Sequence, residues 1–273
     1  MADPALVDAP PAQRGGAKAL LLTILGEFVL PSGGGAWTST LVAACAELGI
    51  GEKNARQAIA RTGDQGVIDS VRHGRNVRWE LTATGRELLE SGTRRIYGFG
   101  VAGQHWDGQW LVAHCPVPES QRAVRGQLRT RLGFLGFGEL SPSLFVGPHV
   151  DRDDELRAVL DELGLLGESV VFRSATLTAD GDVVVRAWDL GALAKSYRAF
   201  IETHEHERPN TPAESFRAVV ELVHEWRRFP FIDPELPQDL LPSPWIGTEA
   251  VALFQERRRA WSPPARRWFE SFA

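Results

Sequence analysis

The change of apolar periodicity along residues 17–91 constrains this chain more than any other feature. Ala17–Phe28 puts Leu21, Leu25 and Phe28 on one stripe at helical spacing. Pro31 and Gly33-Gly34-Gly35 then break the run. Trp37–Leu48 returns to the helical period, with Leu41, Val42, Cys45 and Leu48 as its apolar face and Thr38 or Ser39 placed to cap it. A third helix is expected from about Glu52 to Thr62, with Ala55, Ile59 and Thr62 inward. The period then switches to two. Val67–Arg72 and Val77–Leu81 flank His73-Gly74-Arg75-Asn76, which reads as a hairpin turn. A fourth helix, Thr82–Ser91, closes the segment; Thr82 or Thr84 can cap it, and Thr84 with Glu87 has the capping-box spacing.

Three helices followed by a hairpin is the order of a winged helix-turn-helix, whose third helix enters the major groove of DNA. Here that helix carries Lys53, Asn54, Arg56, Gln57 and Arg61. Positions 53, 56, 57 and 61 share one face, opposite Ala55 and Ile59. Lys and Arg meet phosphates; Arg also reads guanine, and Asn or Gln reads adenine. The hairpin adds Arg72, His73, Arg75 and Arg78, a basic ribbon able to follow the backbone or enter a minor groove. From Gly51 to Trp79, six Lys/Arg stand against three acids, so the segment is near +3 in a chain whose net charge is −5. A nucleic-acid partner must therefore be met locally. A basic winged helix that serves only protein contacts would show the same pattern.

Beyond Gly98–Gly108, which reads as a linker, Gln109–Cys115 is a strand and Glu119–Leu132 a helix. Gly138–Leu140 and Leu144–Val146 are two short strands, Asp151–Leu163 a helix and Ser169–Thr176 a strand. This βαββαβ order suggests a ferredoxin-like domain. Leu190–Glu207 and Pro212–Arg228 are helices. A Pro-rich stretch, Phe229–Pro244, leads to a last helix over about Thr248–Ala260, with Pro263-Pro264 before a short final turn. The expected architecture is α+β and multidomain: a disordered leader (1–16), a winged helix (17–97), a ferredoxin-like centre (104–180) and a helical C-terminal domain (185–273).

Composition sets outer bounds. With 273 residues, 43% hydrophobic and 24% charged, the chain is globular and long enough for two or three domains. Cys45 and Cys115 both sit in apolar runs and read as buried thiols in a reducing compartment. Met1–Gly16 lacks the apolar centre of a signal peptide, and Ala19–Leu30 is interrupted by Gly26 and Glu27 and too short to span a bilayer. The expectation is a cytoplasmic protein without a membrane partner.

Several collinear segments resemble the PaaX family. Lys53–Arg61, Gly66-Val67, His73-Gly74-Arg75 and Trp79–Gly85 resemble its N-terminal part, and Gly92–Gly98 the segment that follows. Trp106–Trp110 and Leu135–Gly138 resemble its central motifs. Ala187–Leu190, Tyr197–Phe200, His224–Phe229 and Asp233–Trp245 resemble its C-terminal region. The resemblance implies a winged helix, a ferredoxin-like centre and a helical C-terminal domain. It also implies a repressor of aromatic catabolism, released from double-stranded operator DNA by an aryl- or acyl-CoA such as phenylacetyl-CoA. Gly33-Gly34-Gly35 and the small Ala55 and Ala60 depart from the pattern, so operator sequence and effector do not transfer. A symmetric operator calls for a homodimer.

Other chemistry is weaker. Tryptophans crowd the C-terminal third. They form either helix-packing core or, with Trp226 and Trp245, an aromatic wall for a flat acyl group; Arg227, Arg228, Arg257 and Arg258 would then meet coenzyme A phosphates. His204-Glu205-His206-Glu207 offers metal-ligand types, but residues two apart on a helix point to opposite sides. A nuclease of the kind that takes part in CRISPR spacer acquisition needs paired acids at a strand end. The first central strand ends in Ala113-His114-Cys115, leaving Asp107 as the sole substitute. No catalytic residues, metal or cofactor are therefore expected. Three classes remain: a DNA-binding repressor, a metal-dependent nuclease, and a protein-interaction module.

Overall fold

The structure is a computed structural model that describes residues 16–100, 106–175 and 180–272. The expected leader, except Gly16, and residues 101–105 of the expected linker lie outside the described residues. The first elements are α1 (Ala17–Ile24), β1 (Gly35–Trp37), α2 (Thr38–Glu47), α3 (Glu52–Asp64), β2 (Ile68–His73), β3 (Asn76–Leu81) and α4 (Ala83–Gly98). Next come β4 (Trp110–His114), α5 (Arg122–Phe134), β5 (Gly138–Ser141), β6 (Leu144–Gly147), α6 (Asp153–Glu162), β7 (Val170–Ser174) and α7 (Asp180–Ala187). The remainder is helical: α8 (Leu190–His204), α9 (Pro212–Trp226), the short α10 (Phe229–Ile232) and α11 (Ile246–Glu270). Contacts divide the chain into two compact units. Among the described residues, one comprises 16–99, 199–228 and 249–272; the other comprises 100, 106–175, 180–198 and 229–248.

In the first unit, α1 runs on through a π-helical turn, Leu25–Val29. Its apolar stripe closes a core with α2 and α3: Leu21, Ile24, Leu25, Leu41, Cys45 and Ile59 are all at most 1% exposed. The three-stranded sheet has order β1-β3-β2, antiparallel throughout. Strand β1 was not expected, because Gly33-Gly34-Gly35 reads as a break. The glycines turn the chain instead. Gly33 and Gly34 take φ of 90° and 87°, which side chains disfavour, and the next three residues align with β3. Thr38 then does not cap α2. Its hydroxyl donates to Val77 O at 3.0 Å and accepts from Trp79 Nε1 at 3.0 Å, tying the helix to the hairpin.

Thr82, not Thr84, caps α4, accepting from Gly85 N at 2.9 Å. Gly85 is there because nothing larger fits: a Cβ would lie 1.9 Å from Val67 O. Helix α4 outruns its expected end at Ser91 and reaches Gly98, where tertiary contacts hold it. Trp226 Nε1 donates to Ile96 O at 3.3 Å, and Tyr97 stacks on Phe254 at 6.1 Å.

The C-terminal helices of this unit complete the same core. Helix α9 starts with Pro212 in its first turn and a full capping box between Thr211 and Glu214. Phe28 lies 4.8 Å from Phe216 and 5.3 Å from Phe269. The expected stop at Ala260 is overturned, since α11 continues to Glu270 with Pro263 and Pro264 inside it. A proline in a helix interior costs roughly 3 kcal/mol. Beyond the pair, however, Ala265 and Phe269 are buried, and Trp268 meets Phe216 at 4.5 Å. Full burial of one large apolar side chain is worth about 1.5–3 kcal/mol, so this packing works against the cost of the pair.

In the second unit, four antiparallel strands lie in the order β5-β6-β4-β7. The elements follow one another as β-α-β-β-α-β. Period-two alternation along β4 sends Leu111 and Ala113 to one face, with Leu128, Leu132, Phe145, Leu156 and Leu160 from the flanking elements. Trp110 and Val146 face the other side, under Val183 and Val184 of α7. Helix α7 follows residues 176–179, which lie outside the described set, and the sequence left it unassigned. It packs closely enough that a Cβ on Gly138 would come within 2.6 Å of Ala187. The Pro-rich stretch 229–248 joins this unit through fixed polar contacts. Tyr197 donates its hydroxyl to Asp233, and the His149 ring meets Glu235 O at 2.9 Å.

Candidate nucleic-acid interface

Helix α3 is amphipathic in an unusual balance. Its buried side is small, Ala55, Ala58, Ile59 and Thr62. Small residues there let α1 and α2 approach closely, so α3 is held firmly while most of its circumference stays in water. Lys53, Asn54, Arg56, Gln57 and Arg61 are all exposed. Lys53 and Arg61 have no ion pair among the described residues. Arg56 donates to Glu52 Oε1 at 2.8 Å, one turn earlier. Both side chains are more than half exposed, and such a pair is worth only a few tenths of a kcal/mol. A phosphate or a guanine edge can displace it.

The hairpin carries Arg72, His73 and Arg75 into solvent around Gly74, whose φ of 61° suits the turn. Arg78 is different. It is half-buried, with its guanidinium 5.7 Å over the Trp37 ring and 3.6 Å from the Glu80 carboxylate. Eight of the nine candidates thus stand exposed on α3 and the hairpin tip, while Arg78 braces the sheet. Sequence reading missed Lys18. Partial burial lowers its pKa, and the neighbouring Arg61 charge lowers it further. The two cations lie 43 positions apart in sequence, and only the packing of α1 on α3 brings them together.

The six residues expected to form an acyl-group wall divide between the units, five in the first and Trp245 in the second. Trp226 is fully buried in the first unit, stacked on Phe254 at 4.5 Å. Arg227 is half-buried and reaches Ala19 O at 3.3 Å; desolvation lowers its pKa. Arg257 donates to Glu205 O at 2.8 Å and lies over Trp261. Arg228, next in the chain, is half-buried. Trp245 belongs to the second unit, edge-on to Tyr197 at 6.2 Å. Arg258 alone of the six lines a cavity of about 550 Å³ in the first unit. That cavity also uses Tyr97, from the Gly92–Gly98 segment, and Ser262 and Arg266, which no sequence motif marked.

Among the described residues, no group of three or more His, Cys, Asp or Glu side chains is placed to hold a metal ion. Asp107 Oδ1 accepts from Gln109 N at 2.9 Å, the geometry of a local turn. His204 is buried between Glu207 and Glu225, at 3.1 and 3.2 Å, whereas His206 is exposed. Also among the described residues, no helix is long and apolar enough to cross a membrane.

Comparison with known proteins gives a consistent result. Three family models match in chain order: the PaaX-like protein model over residues 16–85, the PaaX protein central Cas2-like domain over 103–183, and the PaaX-like protein C-terminal domain over 188–271. The transcriptional repressor PaaX of Escherichia coli (strain K12) is 29% identical over 248 residues, covering 86% of this chain and 77% of that protein. A solved structure, the uncharacterized protein Rv0674 from Mycobacterium tuberculosis, matches with a TM-score of 0.65 at 20% identity. That match covers 93% of this chain and 98% of the other, and it is a likeness of fold. With all three models of one family in order along most of its length, the chain belongs to the PaaX family of transcriptional regulators.

Proposed function

We propose that this chain is a cytoplasmic transcriptional repressor that binds operator DNA as a homodimer and is released by an aryl- or acyl-CoA. In this reading, residues 17–97 are a winged helix-turn-helix, with α3 as the recognition helix and β2–β3 as the wing. The four-stranded unit with its β-α-β-β-α-β order is ferredoxin-like. The observation that carries the reading is the exposed, largely unpaired basic face of α3 beside a basic hairpin tip, in a chain of net charge −5. The Escherichia coli relative is named a transcriptional repressor, which supports the same role. Lys53, Arg61, Arg72 and Arg75 serve as phosphate contacts; Asn54, Arg56 and Gln57 serve as base readers.

The test is a gel shift with DNA from upstream of the protein's own gene. Sequence-specific retardation is expected, and it is lost on Arg56→Ala with Gln57→Ala. Binding that survives both changes sinks the reading. No retardation at all would leave a protein-interaction module. Light scattering checks the dimer, since a monomer at micromolar concentration contradicts it.

A further inference from the structure

The cavity in the first unit is lined by core side chains and by several polar groups that the fold itself does not use. Its apolar wall is Phe254 with the Tyr97 ring, stacked 12° from parallel. Arg258, Arg259 and Arg266 bring three positive charges to it. Arg259 and Arg266 are exposed, and neither has a hydrogen bond or ion pair among the described residues. Two more polar atoms are stranded. The Tyr97 hydroxyl and the Ser262 hydroxyl are each buried without a hydrogen-bond partner among the described residues. Unsatisfied buried hydroxyls are uncommon, because each costs on the order of a lost hydrogen bond. Here two of them border one cavity beside uncompensated arginines. Cationic forks and hydroxyl donors suit phosphate or carboxylate oxygens, and the stacked rings suit a flat or acyl group.

The same cavity is linked to α1 through Arg258. Arg258 sits 3.7 Å over the Tyr97 ring and 3.3 Å from the Glu27 carboxylate. Glu27 is 6% exposed and lies on the π-helical turn that continues α1, the helix packed on α3. π-turns inside helices mark functional positions often enough to notice. Arg266 also lies close enough to Glu27 to act on its charge.

We infer that this cavity binds an organic anion carrying a flat or acyl apolar group, and that Glu27 relays its occupancy to α1 and α3. The inference rests on the effector-controlled repressor reading. A ligand anion draws Arg258 and Arg266 from Glu27, leaving a buried carboxylate without its partner. The π-turn and α1 must then adjust, and α3 with them. A ligand can shift the equilibrium only by its difference in affinity between the free and DNA-bound forms.

Calorimetric titration of the full chain with phenylacetyl-CoA, coenzyme A alone and phenylacetate tests the site. Saturable binding of phenylacetyl-CoA is expected, with each fragment weaker. The variant Arg259→Ala/Arg266→Ala should stay folded by circular dichroism and lose at least tenfold in affinity. Tyr97→Phe should lose a few-fold. Glu27→Gln should still bind the thioester, yet its operator complex should no longer respond to it. If the wild type binds none of the three probes, both the cavity site and the thioester-effector reading fall. If the double variant binds as well as the wild type, only the cavity assignment falls. If Glu27→Gln releases operator normally, the relay is wrong and the site stands.

Discussion

Arginines in this molecule do two different jobs, and the contrast lies within one unit. On α3 and the hairpin tip, Arg61, Arg72 and Arg75 project into water with no ion pair among the described residues. At the end of α9 and on α11, Arg227 and Arg258 reach back onto α1 and the turn that follows it, one to a backbone carbonyl and one to a buried carboxylate. The first set is idle in the isolated fold and available to a polyanion. The second set fastens the C-terminal helices to the N-terminal ones. Residue type alone does not separate them; burial and partners do.

The sharpest way to break this contrast is to remove one member of each set. Arg258→Ala leaves Glu27 buried without its cation. Losing one partner of a buried pair costs about 3–5 kcal/mol, and the partial exposure of Arg258 brings the expectation to about 2–4 kcal/mol. Urea denaturation should show that loss, and Glu27→Gln in the same chain should recover part of it. Arg61→Ala should change stability by less than about 0.5 kcal/mol. Equal losses from the two changes would erase the distinction.

Binding should invert the ranking. Arg56→Ala and Gln57→Ala should each cost about 1–3 kcal/mol of operator affinity, roughly ten- to hundredfold, with little change in melting temperature. Fluorescence anisotropy on a labelled operator fragment measures this directly. An Arg56→Ala protein that binds normally and melts early would mean that its pair with Glu52 stabilises the helix and has no part in recognition.

How much of this was legible depended on range. The period switch from helix to hairpin, the helix from Glu52 and the alternation along β4 are local, so neighbouring residues carried the signal. What failed needed distant partners. The sequence around Pro263-Pro264 argues for a helix end, and α11 passes through because Phe269 finds Phe28 and Phe216. Gly33-Gly34-Gly35 argues for a loop, and β1 forms because β3 offers an edge. The candidate site divides in the same way. Its basic face was visible as charge spacing on one helix. Lys18 beside Arg61, and the Tyr97–Ser262 cavity, arise from helix packing that no local pattern encodes. The charge of Arg227 was visible in the sequence; its contact with Ala19 O was not.

A smaller effect separates two histidines of the first unit. Burial, and then Arg227, hold the His224 pKa down to about 4 from the ordinary 6.5, so the folded protein keeps this ring neutral. Its contribution is complete above about pH 6.5 and is lost as pH falls toward 4. Burial also opposes charge on His204, but Glu207 and Glu225 outweigh it and raise the pKa. That contribution is present below 6.5 and is lost as pH rises through the raised value. Desolvation, and then Glu207, raise the pKa of the nearby Glu221, whose contribution is likewise lost as pH rises. His224→Gln should therefore flatten the acid side of the stability–pH curve, and His204→Gln the neutral-to-alkaline side. A curve unchanged by either substitution would remove both histidines from the account.

The finest test lies inside the hairpin, where the contrast runs between neighbours. For DNA, each phosphate contact releases counterions, and log affinity falls by about 0.9 per contact per log unit of salt. Arg75→Ala, at the tip, should make that slope shallower by about one contact while stability holds. Arg78→Ala should leave the slope unchanged. Its guanidinium already serves Trp37 and Glu80, so the loss should appear as about 1 kcal/mol of stability. Slopes that fall equally for both variants would mean that Arg78 leaves the sheet on DNA and joins the phosphate contacts. The line between bracing and binding arginines would then be drawn by the DNA rather than by the fold.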